Sequence, residues 1–205
     1  MVQVAGPAKD ETIFKSDAGN IDSPEWSPDG QTILFVFRPD ETRMHRELWA
    51  LDMEKGTAAQ LVGGSFNVFE ARFAPNGSWY AYMSDETGHN YDVYLRPFPD
   101  TGSQLRVSAA GGSWPRWSED GKELFYLNGE GHLVVVQVTF GEAVSVSPAE
   151  IITPDPITSN PFAEHAQFDV HPDGQRFLLR PDSYSSGSSQ LMIMRDWIAR
   201  LGGQE

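Results

Sequence analysis

The stretch "PEWSPDGQTILF", residues 24–35, places a tight polar corner, Ser27-Pro28-Asp29-Gly30, between an aromatic residue and an apolar run. Proline presets the φ of a turn's first corner, aspartate bonds its own downstream backbone, and glycine accepts the left-handed conformation that other residues resist. Between strand-forming residues such a corner is a hairpin signal. It recurs: "PEWSPDGQTILFVF" (24–37) is echoed by "EARFAPNGSWYAYMS" (70–84), "PRWSEDGKELFYLN" (115–128) and "FDVHPDGQRFLLRP" (168–181). The aligned glycines, Gly30, Gly77, Gly121 and Gly174, follow one another at 47, 44 and 53 residues. Each comes after Asp29, Asn76, Asp120 or Asp173, and three residues earlier stands Trp26, Phe73, Trp117 or Val170. A period of this size marks a repeat architecture.

After each corner comes a run of strand character, "TILFVF", "WYAYMS", "ELFYLN" and "RFLLR". A second follows a polar loop in every unit: "ELWALDM" (47–53), "DVYLRPFP" (92–99), "HLVVVQV" (132–138) and "QLMIMRDW" (190–197). The first three units add "AAQLV", "QLRVS" and "VSVSPAEII". With the short strand ahead of each corner, that makes four strands per unit, the content of a propeller blade. The expectation is an all-β chain forming a single β-propeller domain over 1–205, with blades at about 20–62, 66–108, 112–152 and 164–197. The fourth unit ends after its third strand. "ETIFKSD" (11–17) is an orphan strand placed to complete that last blade and remove two unpaired edges. "TPDPITSNPFAEH" (153–165) reads as a Pro-rich connection, "SYSSGSS" (183–189) as a loop, and "RDWIARL" (195–201) as a short helical turn.

Composition narrows the classes. Hydrophobic residues at 40% and aromatics at 12% suffice for a packed core. A formal net charge of −14 argues against nucleic-acid binding, which needs a basic footprint, and by itself otherwise speaks for a solvated surface. The absence of cysteine excludes disulfides, thiolate catalysis and Cys-type zinc sites. No apolar run approaches the roughly 20 residues that span a bilayer, so membrane insertion is not expected. "MVQVAGPAKDETIFK" lacks the charged and then apolar pattern of a signal peptide.

The motifs "WSPDG", "YAYMSDETGHNYDVYLRPFP", "RVSAAGGSWPRWSEDGKELFYLNGEGHLVVVQV" and "FDVHPDGQRFLL" resemble the TolB-type, WD40-like propeller repeat over about residues 20–197. They look especially like the propeller at the C-terminal end of many bacterial serine/threonine kinases. The resemblance implies a bacterial, extracytoplasmic or periplasmic setting and binding of proteins or peptides. It also implies about six blades in a full ring. The four visible here leave two arrangements open, a closed four-blade ring and two chains paired into an eight-blade ring, which would make a homodimer.

Kinase and hydrolase signatures are missing. There is no kinase Gly-rich loop, no H-R-D with its downstream Asn, no D-F-G and no G-x-S-x-G. Fold does not settle activity, so candidate residues come from position. Loops leading into the innermost strands meet at the channel mouth, and the Asp-Gly corners lie on the opposite face as structural turns. The mouth then collects Asp22, Ser23, Asn67, Glu70, Trp114, Arg116, Glu164, His165 and Gln167, with Trp114 as apolar platform and Arg116 as carboxylate partner. Trp26, Trp49, Trp79 and Trp117 read as packing residues. His45, His89, His132 and His165 share that face with Asp40, Asp85, Glu86 and Glu130, while His171 lies on the other. Histidine and carboxylate are the side chains of a zinc or manganese site, yet loops away from the axis hold them apart. No H-E-x-x-H spacing is present. No cofactor is expected, and a divalent metal is not the favoured reading. Asn76-Gly77-Ser78 matches a glycosylation pattern but is explained by the turn.

Two functions follow. The favoured one is a non-catalytic scaffold or binding module for a protein, peptide or small polar ligand at the channel mouth. The alternative is a hydrolase or metal-dependent lyase using His and carboxylate groups on the same face.

Overall fold

The computed structural model of the protein describes residues 10–39, 45–88, 90–99, 102–141, 143–162, 165–182 and 191–198. Its strands fall into four antiparallel sheets in chain order. The first holds β1 (Asn20–Trp26), β2 (Thr32–Arg38), β3 (Glu47–Asp52) and β4 (Thr57–Val62). The second holds β5 (Val68–Phe73), β6 (Trp79–Ser84), β7 (Asp92–Pro97) and β8 (Leu105–Arg106). In the third, β9 (Gly112–Trp117), β10 (Glu123–Asn128) and β11 (Leu133–Thr139) are followed by β12 (Ser145–Val146) and β13 (Glu150–Ile151), both paired with β11. The fourth has β14 (Phe168–Val170), β15 (Arg176–Leu179) and β16 (Met192–Arg195). These are the four expected blades, with a divided outer strand in the third and three strands in the fourth.

The recurring corner is built as its composition requires. Gly30 N donates to Ser27 O at 2.9 Å, and Asp29 Oδ1 accepts from Ser27 Oγ at 2.6 Å and Gln31 N at 3.0 Å. Ser118 and Asp120 repeat the arrangement in the third blade, at 2.8 Å and, to Lys122 N, 3.0 Å. These bonds hold both carboxyls below their ordinary range, Asp29 chiefly through the Ser27 hydroxyl and Asp120 chiefly through the Lys122 backbone N–H. Gly30 and Gly121 have φ of 69° and 71°. A Cβ at Gly30 would meet nothing within 4 Å, whereas one at Gly121 would lie 3.2 Å from Pro75 Cδ. Gly30→Ala should therefore cost the left-handed penalty alone, about 1–2 kcal/mol. Gly121→Ala should cost more, and melting of the two variants side by side checks the order.

Strands such as "WYAYMS" and "ELFYLN" are apolar on both faces because a blade with a neighbour on each side is covered on both. Leu34, Leu48 and Val62 of blade 1 pack against Phe73, Tyr80 and Tyr82 of blade 2. Ala81, Val93 and Leu95 then meet Leu124, Tyr126 and Val134 of blade 3. Phe125, Leu127 and Val135 meet Phe177, Leu179 and Trp197 of blade 4. Among the described residues no apolar cluster joins blade 4 to blade 1. The blades form an arc.

Its ends explain two departures from expectation. Residues 11–17 form no strand and do not complete the last blade. Phe14 instead packs on Phe35, ring centroids 5.5 Å apart, over the face of blade 1 that no other blade covers. Trp26, expected in the core, is 55% exposed. Its counterparts Phe73 and Trp117 pack toward the preceding blade, Trp117 Nε1 donating to Arg72 O at 3.1 Å. Blade 1 has no preceding blade in the arc, so the same position stays in water. The helical turn expected at 195–201 begins at 197–198, and the rest of it lies outside the described residues.

Candidate functional site

Three innermost strands share an irregularity. In β1 the register slips between Asp22 and Glu25, in β5 between Val68 and Glu70, and in β9 where Trp114 and Pro115 face one residue of β10. Each is a bulge, which adds a residue and re-aims a side chain. Ser23 and Trp114 hold φ of 50° and 59° there. Both precede a proline, which disfavours helical backbone, so these positions are costly and held in place by their surroundings.

The bulges open on one cavity. A pocket of about 350 Å³ is lined by Ser23, Phe69 and Trp114, one from each bulge, with Asp22, Val36, Arg38, Arg46 and His165. Trp114 is buried rather than an open platform, and its indole Nε1 donates to Pro161 O at 3.2 Å. Ser113 Oγ donates to the same carbonyl at 2.5 Å, which ties the Pro-rich connection to β9. Arg38 Nε lies 2.6 Å from Asp22 Oδ2, a charge contact without hydrogen-bond alignment. The Arg46 guanidinium stacks over Phe69, 4.1 Å from the ring centroid. Among the described residues Arg46 pairs with no carboxylate. The pocket thus holds two arginines and a histidine against one acid, in a chain of net charge −14.

Glu70 and Arg116 are not free for a ligand. They belong to a ladder of ion pairs running across the innermost strands. Glu25 Oε2 lies 2.8 Å from Arg72 Nη1, and Glu70 Oε1 lies 2.6 Å from both Arg72 Nη2 and Arg116 Nη1. Arg116 Nε stands 3.8 Å from Asp169 Oδ1. Glu25, Arg72, Arg116 and Asp169 occupy one repeat position in successive blades, and buried Glu70 bridges the two bases. Burial raises the Glu25 carboxyl above its ordinary value against the pull of Arg72. The ladder couples blade to blade at the axis, where the apolar clusters end.

Of the other expected residues, Asn67 is engaged with Asp85, its N and Nδ2 donating to the carboxylate at 2.5 and 2.9 Å. Gln167 is buried, its Oε1 accepting from Arg180 Nε at 2.9 Å and its Nε2 donating to His165 O at 3.3 Å. Asp22, Ser23, Trp114 and His165 do come together. Glu164, His89 and Asp40 lie outside the described residues. Arg38, Arg46 and Phe69 are pocket residues that sequence reading missed. Their signal is positional: Phe69 is the bulge residue between Val68 and Glu70, and Arg38 ends the strand beside β1.

The described histidines form no shared metal-ligating cluster. His132 Nδ1 lies 2.9 Å from Thr153 O, and His171 Nδ1 lies 3.0 Å from Asp173. Among the described residues no three His, Asp or Glu side chains form a metal-ligating group, and no helix is long and apolar enough to cross a membrane.

Four blades in an arc, with bulged innermost strands at a shared mouth, define a β-propeller. No protein-family model and no curated protein matches the sequence. Solved structures do. TolB from Acinetobacter baumannii superposes with a TM-score of 0.66 at 21% identity, covering 90% of this chain and 43% of TolB. A puromycin-hydrolysing peptidase of Mycobacterium tuberculosis gives 0.63 at 18%, covering 87% and 30%. The Cps50 (Swd1) β-propeller domain of Myceliophteria thermophila gives 0.51 at 14%, covering 88% and 60%. At these identities the likeness concerns fold: the chain is built as a TolB-like, WD40-like β-propeller, and it spans less than half the length of that TolB.

Proposed function

We propose that the chain is a non-catalytic binding module whose channel-mouth pocket takes the free carboxylate end of a peptide or of a small polar ligand. The observation that carries this reading is the convergence of three bulge residues, Ser23, Phe69 and Trp114, on one cavity. Conformationally costly positions gather at binding sites, and about 350 Å³ falls within the range of ligand pockets. Arg46 supplies the cation. Its face rests on Phe69, which leaves the planar edge for two parallel N–H donors to a carboxylate. Arg38 is already matched by Asp22, so the uncompensated charge is that of Arg46, with His165 at the rim. A protein or peptide partner presented in a bacterial, periplasmic setting belongs to the same reading.

The test is calorimetric titration with a short peptide carrying a free C-terminus and the same peptide amidated. The free acid should bind at least about tenfold more tightly, the worth of a charge-assisted hydrogen bond. Arg46→Met keeps the contact with Phe69 and removes the charge, so it should abolish the difference. Equal binding of acid and amide, or an unchanged preference in Arg46→Met, would sink the reading.

A further inference from the structure

The walls of the mouth pocket differ in kind. Blade 1 lines it with the charged groups of Asp22, Arg38 and Arg46, while blades 2 and 3 line it with the rings of Phe69 and Trp114. From Phe69 a row of rings continues beyond the pocket lining. Phe69 meets Tyr91 edge-on with centroids 4.6 Å apart, and Tyr91 meets Phe162 at 5.5 Å. The Arg46 guanidinium lies over the first ring of this row. The order is therefore cation, Phe69, Tyr91, Phe162.

The rings reach the row from three separate elements: the bulge of β5, the loop between β6 and β7, and the connection into blade 4. Each packs in part on the apolar cluster shared by blades 3 and 4, and each keeps part of its surface in water. The start of β9 holds the row in place. Gly112 N donates to Tyr91 O at 2.7 Å, and Ser113 Oγ and Trp114 Nε1 donate to the carbonyl of Pro161, beside Phe162. Gly111 leaves room for the last ring, since a Cβ there would stand 3.3 Å from Phe162 Cζ. Rings held in this way lose little conformational freedom when a ligand covers them.

The dimensions suit a peptide. The row advances in steps of 4.6 and 5.5 Å, and an extended chain advances about 3.3 Å per residue, so about three residues run along it. A small ligand that offers only a carboxylate to Arg46 leaves Tyr91 and Phe162 uncovered. Resting on the carboxylate reading of the pocket, we propose that this row is the side-chain subsite of the same site. It takes aromatic residues at the second and third positions from the free C-terminus of a peptide. Ring-on-ring contact then adds orientation to the burial of apolar surface. Peptides without such side chains fill the pocket alone.

Calorimetric titration of the wild-type chain with two serine-rich heptapeptides of identical composition tests it. Both carry a free C-terminus and two phenylalanines, placed second and third from the C-terminus in one and at the N-terminus in the other. The first should bind at least about tenfold more tightly, the worth of burying an aromatic side chain. Tyr91→Leu and Phe162→Leu keep apolar packing and remove one ring each. With folding confirmed by circular dichroism, each should reduce that preference by about threefold, as loss of a ring pair does. Equal binding of the two isomers overturns the proposal, and the carboxylate reading then stands if the free acid still binds more tightly than its amide. No difference between acid and amide overturns both. A preference unchanged in both leucine variants places the aromatic contact elsewhere and overturns the proposal alone.

Discussion

Glu70→Gln should destabilise the protein by about 3 kcal/mol, the lower end of what breaking a buried ion pair costs. The side chain keeps its size and loses only its charge, so packing is not the reason. Glu70 is the single acid between Arg72 and Arg116, 2.6 Å from each. Without it Arg72 retains Glu25, but Arg116 is left with a contact of 3.8 Å to an exposed aspartate. The uncompensated cation sits between blades 2 and 3, where water reaches it poorly. Glu25→Gln is the control. Glu25 lies at the open end of the ladder, and Arg72 would keep Glu70, so the cost should stay within about 1 kcal/mol, as for a part-exposed pair. Urea unfolding of both variants gives the comparison, and equal losses would mean that the ladder adds nothing beyond its separate pairs.

Trp197→Ala should cost about 3–5 kcal/mol, the usual range for truncating a buried aromatic. Trp197 is the last large core side chain among the described residues. Its ring lies 5.8 Å from Phe125 of blade 3 and 6.0 Å from Phe177 of blade 4, edge-on to both. Its Nε1 donates to Gly174 O at 2.8 Å, inside the fourth Asp-Gly corner. One residue therefore fastens the three-stranded blade to its neighbour and to its own turn. The loss should be local as well as global. Hydrogen exchange should speed first in β14, β15 and β16, while β1 to β4 keep their protection. Uniform loss of protection would mean that the arc melts as one unit.

The repeat was legible because its information is local. Serine, alanine or histidine, then a proline or acid, Asp or Asn, and Gly at fixed offsets specify the corner whatever lies around it, and the hydrogen bonds of Ser27, Asp29, Ser118 and Asp120 bear this out. What the sequence could not show is which neighbour covers which face. Trp26 and Trp117 look alike in their repeats, but only Trp117 has a blade in front of it. The run at 11–17 has strand composition, and it packs as an irregular segment through Phe14.

The site divides in the same way. Positions at the mouth could be read from the order of strands, which is why Asp22, Trp114 and His165 meet in one cavity. Glu70 and Arg116 carry the chemistry of a ligand site in sequence, 46 residues apart, and in space they satisfy one another. Arg46 lies in a polar stretch with no motif. Its place over Phe69 depends on a bulge, and a bulge is a matter of register that one strand's sequence does not reveal.

The most direct test of the binding reading is a map of amide and indole resonances in labelled protein titrated with a free-acid tripeptide. The account predicts shifts confined to Ser23, Arg46, Phe69 and the Trp114 indole, with the corner glycines Gly30, Gly77 and Gly121 on the opposite face unmoved. Shifts centred on those corners, or none at a peptide concentration that saturates the calorimetric signal, would contradict it.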